Sequence, residues 1–370
     1  MSLDFSRRAV FGLAALVATG VAALPAMAQP ATTETRVFVD DAGREVTIPV
    51  SPQRIVTLDA ESIFPSLLEL GVNVVGTIGR VNPAIFGGER YIPSVYDLFE
   101  FRWQNTDIAF VGTQGEFDIE AVAAARPDLI LGRTSDLPRI GQLEAIAPTV
   151  LLSQTRVEGV AIEKYRQLAD IVGMTDRFEM LYGLWQNRLE RYRTVLTAAV
   201  GDPSRIVVAH IAASASGGIT LRRSVGMLGD VFYDLGFSYP PILADTPALL
   251  ADGAIGQVAV SPERLPEVQT DFLFTRGYFF MGANANVIAD TRALFDQAAP
   301  GWTPFVHAAA NSQHVFIDLG QMEPNTFSAR EYTLNAIMDA ILLRPFVPVA
   351  ADAPRVPIRE LVARELGYQP

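Results

Sequence analysis

Residues 36–50, "RVFVDDAGREVTIPV", alternate apolar and polar positions about Asp41-Ala42-Gly43, the pattern of a β-hairpin. "RIVTLDA" (54–60) then has the apolar density of a buried strand, and "ESIFPSLLELG" (61–71) has helical spacing that stops at Gly71. "VNVVGTIG" is the next strand, and "DIEAVAAARPDLILG" is a helix, a proline break and another strand. "LEAIAPTVLLS" repeats the alternation before the helix "IEKYRQLADIVGM". Strands and helices alternating at this spacing predict a mainly parallel sheet covered on both faces.

The pattern changes at Thr175. Phe178, Leu181, Leu184, Trp185, Leu189, Tyr192 and Leu196 recur at three- and four-residue steps, interrupted only by Gly183. They predict one amphipathic helix of about 25 residues, roughly 38 Å long, with Phe178 and Trp185 in the core. Beyond "GDPSR" the earlier phrases return. "RIVTLD" at 54 is echoed by "RIVVAH" at 205, "LLELG" ending at Gly71 by "FYDLG" ending at Gly236, and "DLILGR" at 128 by "DFLFTR" at 271. These echoes read as a degenerate duplication. The expected fold is α/β: two Rossmann-like lobes with mainly parallel sheets, joined by a single long α-helix. The lobes span 29–173 and 202–345 and the helix 174–201, with a Pro-rich linker and C-terminal helix at 346–370.

The last of those phrases carries candidate chemistry. Each leads with an aspartate and ends on an arginine, Arg133 or Arg276, at the carboxyl end of a core strand, where ligands of open α/β sheets sit. Arg80 follows "VNVVGTIG" in the same way, and Arg222 and Arg223 follow "RIVVAHIAAS" in a Gly-rich stretch read as a loop. If the lobes face one another, these guanidiniums converge on one cleft. Their planar forks suit carboxylate or catecholate oxygens, and the aromatic residues near them, including Trp103 and Tyr278, suit a flat, partly apolar ligand.

Composition narrows the choices. With 29 Lys and Arg against 41 Asp and Glu the net charge is −12, so a nucleic-acid partner is not expected. The absence of cysteine removes disulfides, thiolate metal sites and cysteine nucleophiles. His210, His307 and His314 leave little material for a zinc site, and neither a metal site nor a resident cofactor is expected. At the N-terminus, Arg7 and Arg8, the apolar run Ala9–Leu24 and Ala26-Met27-Ala28 read as an export signal over residues 1–28, of twin-arginine type. A mature periplasmic chain that does not span the membrane follows.

The run "FVDDAGREVTIPVSPQRIVTL", the phrase "GEFDIEAVAAARPDLILG" and the late segment "APGWTPFVHAAANSQHVFIDL" resemble the periplasmic solute-binding proteins of ABC transporters. Those proteins carry ferric siderophores, haem and vitamin B12, and the resemblance covers about residues 36–343. It implies two lobes bridged by one stiff helix, a monomer, a ferric-siderophore ligand and an inner-membrane ABC permease as partner. The ligand contacts it implies fall in the loop "GTQGE", with Gln114 where ferric-hydroxamate binders have an arginine. They also fall in "GRTSD", which holds Arg133, and in the loops of Arg222, Arg223 and Tyr278. Permease docking is implied for Glu120 and Asp230, as one surface acid on each lobe. The expected function is capture of an iron chelate without chemistry. The alternatives are haem, cobalamin or a metal ion as ligand, or a secreted hydrolase built on Ser216 in "SASGG".

Overall fold

The computed structural model describes residues 34–83, 88–153, 161–223, 226–247, 256–277, 286–342 and 349. The predicted signal, Tyr278 and all of the predicted terminal segment except Val349 lie outside the described residues. Among the described residues no helix is long and apolar enough to cross a membrane.

The described residues begin with an antiparallel hairpin of β1 (Thr35–Val39) and β2 (Glu45–Pro49). The first lobe's sheet follows: β3 (Ile55–Thr57), β4 (Val74–Val81), β5 (Arg90–Tyr91), β6 (Ala109–Thr113), β7 (Glu116–Phe117), β8 (Leu129–Arg133) and β9 (Thr149–Leu152). Its order is β7-β6-β4-β3-β8-β9, with β5 beside β4. The long strands pair in parallel, and only the two-residue β5 and β7 run antiparallel. Ile55, Val56, Leu129, Ile130 and Leu131 are fully buried, as central strands covered on both faces must be.

The second sheet contains β10 (Val208–Ala213), β11 (Ile219–Arg222), β12 (Val258–Val260), β13 (Phe272–Gly277) and β14 (His314–Asp318). Its order is β12-β11-β10-β13-β14. β10, β13 and β14 are parallel, while β11 and β12 are antiparallel, so this lobe is mixed.

The echoed phrases occupy corresponding places. β3 and β8 are parallel neighbours at the centre of one sheet, and β10 and β13 hold the same relation in the other. The leading aspartates close the opposite end of each pair from the arginines. Asp128 accepts the amides of Gln53 (2.7 Å) and Arg54 (2.9 Å), and Asp271 accepts that of Val207 (2.7 Å). Register differs: Thr57 faces Leu131, whereas Val208 faces Phe272, a slip of two residues relative to the phrases. A two-residue slip leaves every side chain on its original face. Gly71 and Gly236 both end helices in the left-handed conformation (φ 76° and 80°), which explains the shared "LG".

The bridging helix runs Thr175–Val200 and buries Phe178, Trp185 and Leu189. Leu184, expected in its apolar stripe, is 62% exposed and faces solvent. One apolar cluster runs continuously from Val46 through this helix to Leu342, so the halves share a core. Polar contacts reinforce it. Glu69, on helix Ile63–Leu70, accepts the amides of Phe327 and Ser328 (both 2.8 Å) at the start of helix Phe327–Leu342. It also accepts the Tyr165 hydroxyl (2.8 Å), while Ser66 Oγ donates to the Asn325 carbonyl (2.8 Å). A carboxylate capping another lobe's helix N-terminus resists hinge opening.

Candidate functional site

The winding of the first sheet reverses at β3, which has β4 on one side and β8 on the other. Loops leaving these strands part in opposite directions and open a crevice at their carboxyl ends. Asp59, just past β3, is buried. Its Oδ1 accepts the amides of Glu61 (2.9 Å) and Ser62 (2.8 Å), and its Oδ2 accepts Arg133 Nε (2.7 Å). The carboxylate thus fixes the start of a helix and aims a guanidinium. Arg80, at the end of β4, donates Nε to Glu61 Oε1 (2.9 Å) and places Nη2 2.8 Å from the same atom. Burial raises the Glu61 pKa, Arg80 opposes the rise and Glu323 reinforces it. The other Glu61 oxygen is buried without a hydrogen-bond partner.

The crevice is one wall of a cleft of about 350 Å³ lined by both lobes. Gln114, Ser153, Lys164, Tyr165 and Gln167 extend the first wall, and Met227, Arg276, Met322, Glu323 and Asn325 form much of the second. The lining holds four cations, Arg80, Arg133, Lys164 and Arg276, against three carboxylates, Asp59, Glu61 and Glu323. Three of the cations are held by carboxylates, Arg80 by Glu61, Arg133 by Asp59 and Lys164 by Asp41, which lies behind the lining. Ile63, Ile78, Leu152, Leu168 and Leu319 supply apolar surface around them.

Arg80, Gln114, Arg133 and Arg276, named from the sequence, therefore meet in one cleft. Trp103 is not among the lining residues. Its ring packs behind Gly79, where a Cβ would come within 2.6 Å of it, and its Nε1 donates to the Ile108 carbonyl (3.1 Å). It supports the cleft wall from the rear.

Arg222 and Arg223 are corrected more strongly. Residues 219–222 are a strand paired antiparallel with β10, not a loop at the cleft. Arg222 Nε donates to Nδ1 of the buried His210 (3.1 Å). Burial lowers the His210 pKa well below the ordinary value, and the charges of Arg276 and Arg222 lower it further, so the ring is neutral. Adjacent strand residues point to opposite faces. Arg223 accordingly lies over the Tyr239 ring (4.7 Å to its centre) and lines a separate recess with Tyr233 and Phe237.

Of the two acids assigned to docking, Glu120 is exposed in the first turn of helix Ile119–Ala124. Asp230 is not a surface acid. It is 2% exposed and pairs with the equally buried Arg330 (2.7 Å), because its helix turns that face into the core. Ser216 sits in the exposed turn between β10 and β11, with Ser214 Oγ as its hydroxyl partner (2.8 Å). Among the described residues no group of three or more His, Cys, Asp or Glu is placed to hold a metal ion.

Sequence reasoning missed Asp59, Glu61, Lys164, Tyr165 and Glu323. The available signal for Lys164 was its solitude, since it is the chain's one lysine. Asp59 was visible as the charged end of "RIVTLD". Nothing local distinguished Glu61 or Glu323.

The periplasmic binding protein family matches residues 92–301. The iron(3+)-hydroxamate-binding protein FhuD of Bacillus subtilis is 27% identical over 232 residues, 62% of this chain and 65% of that relative's length. The Fe(3+)-citrate-binding protein YfmC of the same organism is 24% identical over 247 residues, covering 65% of this chain and 68% of the relative. The crystal structure of Staphylococcus aureus SirA complexed with staphyloferrin B superposes with a TM-score of 0.61 at 18% identity. That superposition covers 90% of this chain and 99% of SirA and establishes a shared fold.

Proposed function

The chain belongs to the periplasmic binding protein family, and we propose that it captures a ferric siderophore between its lobes and delivers it to an ABC permease in the inner membrane. The observation that carries this reading is the meeting of Arg80, Arg133, Lys164 and Arg276 from two lobes on one cleft. An iron chelate with anionic oxygens has the complementary charge. Guanidiniums held by carboxylates need little reorganisation to receive it. The relatives described as binding iron(3+)-hydroxamate and Fe(3+)-citrate support iron as the cargo.

The iron arrives inside its own chelator and leaves unchanged, so the cleft acts by binding rather than catalysis. Glu120 is the first lobe's proposed permease contact. The family's periplasmic description supports a location outside the cytoplasm, and we propose that residues 1–28 direct export by the twin-arginine route. The test is titration of the mature protein with ferric citrate, catecholate and trihydroxamate chelates while tryptophan fluorescence is followed. Saturable quenching is expected, reported by Trp103 behind Gly79. A response to none of the three classes overturns the reading.

A further inference from the structure

Among 29 cationic residues, 28 are arginine and one is lysine. That lysine, Lys164, lines the cleft from helix Ala161–Ile171. Its ammonium donates to Asp41 Oδ2 (2.7 Å) and to Gln167 Oε1 (3.2 Å). Asp41 belongs to the turn between β1 and β2, so the contact ties the N-terminal hairpin to the cleft wall.

Asp41 is fully engaged. Its Oδ2 also accepts the Ser153 amide (2.7 Å) and hydroxyl (2.9 Å), and its Oδ1 accepts Gln167 Nε2 (3.3 Å). Burial alone would raise its pKa, but the donors from Lys164 and Ser153 outweigh it and hold the carboxyl below the ordinary value. Asp41 is therefore an anion at neutral pH, and it holds the ammonium by a charged hydrogen bond.

An ammonium carries three N–H bonds in tetrahedral directions, and two of them are engaged here. The side chain remains 27% exposed. A guanidinium donates only within its plane, whereas the ammonium directs its N–H bonds tetrahedrally. Asp41 is also hydrogen-bonded by Ser153 and Gln167, so the lysine is not its sole donor.

Resting on the iron-chelate reading above, we propose that Lys164 contacts the ligand directly, giving its third N–H to an anionic oxygen of the chelate, with Asp41 as the residue that aims it. Lys164 thereby favours chelates of negative charge over neutral ones.

The single lysine makes the test clean, because selective ¹³C-lysine labelling yields one Cε resonance. Gallium(III) citrate and a gallium(III) trihydroxamate without negative charge serve as diamagnetic probes, with tryptophan fluorescence reporting binding of each. The Cε resonance is expected to shift on saturation with the citrate complex and to move much less with the trihydroxamate. Lys164→Met is expected to weaken citrate binding about tenfold and trihydroxamate binding less than twofold. Lys164→Arg, which keeps the charge but not the geometry, should recover only part of that loss. A merely structural lysine would change both affinities equally. If the citrate complex quenches fluorescence while the Cε resonance stays still, or if Lys164→Met lowers both affinities alike, the contact is refuted and the iron-chelate reading survives. If neither complex binds the wild-type chain, both fall together.

Discussion

The two lobes present an arginine from the same strand position in opposite electrical settings. In the first, Arg133 meets a buried carboxylate, Asp59, at 2.7 Å. In the second, Arg276 stands near buried His210, whose ring already accepts a hydrogen bond from Arg222. Asp59 and His210 end the matching phrases "RIVTLD" and "RIVVAH". The last letter of each phrase thus decides whether its neighbouring arginine meets a carboxylate or an imidazole. Topology fixes where the strand ends, and the residue just past the neighbouring strand decides one of the groups its arginine meets. The first lobe orients its arginine through a buried carboxylate, and the second sets its arginine beside a buried neutral ring.

The largest effect should come from breaking the first lobe's pair. Arg133→Met takes the guanidinium from the buried Asp59 carboxylate, so unfolding by denaturant should show a loss of up to about 3–5 kcal/mol. Adding Asp59→Asn should restore part of it. Arg276→Met removes a charge that depresses the buried His210, so it should cost less than Arg133→Met while weakening anionic chelates. Equal destabilisation by the two single variants would erase the contrast.

Acidification separates the lobes by a different route. The folded-state pKa of His210 is depressed, so the unfolded chain takes up this proton first. Its contribution to stability is complete above the ordinary value of 6.5 and is lost as the pH falls toward the lowered folded value. The slope is at most about 1.4 kcal/mol per pH unit for one proton. His210→Gln should flatten the stability profile below pH 6.5 relative to wild type. Identical profiles would mean the ring is not held neutral.

The smallest effect should follow from making the lobes alike. His210→Asp places a carboxylate near Arg276, and affinity for an anionic chelate should drop about three- to tenfold by titration. Unchanged affinity would show that Arg276 does not act on the ligand.

Much of this architecture was legible along the chain. The hairpin at 36–50, the helix through 175–200 and the repeated strand phrases follow from periodicity, because alternation of 2 and 3.6 is a property of neighbouring residues. Arg133 and Arg276 were legible for the same reason, since a polar residue closing an apolar run marks a strand's end. Arg222 was misplaced because "ASASGG" between two apolar runs is a hairpin turn, which makes the next four residues a strand. Asp230 was misplaced because a helix's buried face depends on what packs against it, here Arg330 from a helix one hundred residues later.

By itself, then, the sequence determined the hairpin, the bridging helix, the echo between halves and which core strands end in a cation. Tertiary structure alone decided which charge each cation meets. The partners lie far apart along the chain, 74 residues for Arg133 and Asp59, 123 for Lys164 and Asp41 and 259 for Ser328 and Glu69. Burial sets the strength of such pairings, and burial exists only once both sheets and the bridging helix have closed around a common core.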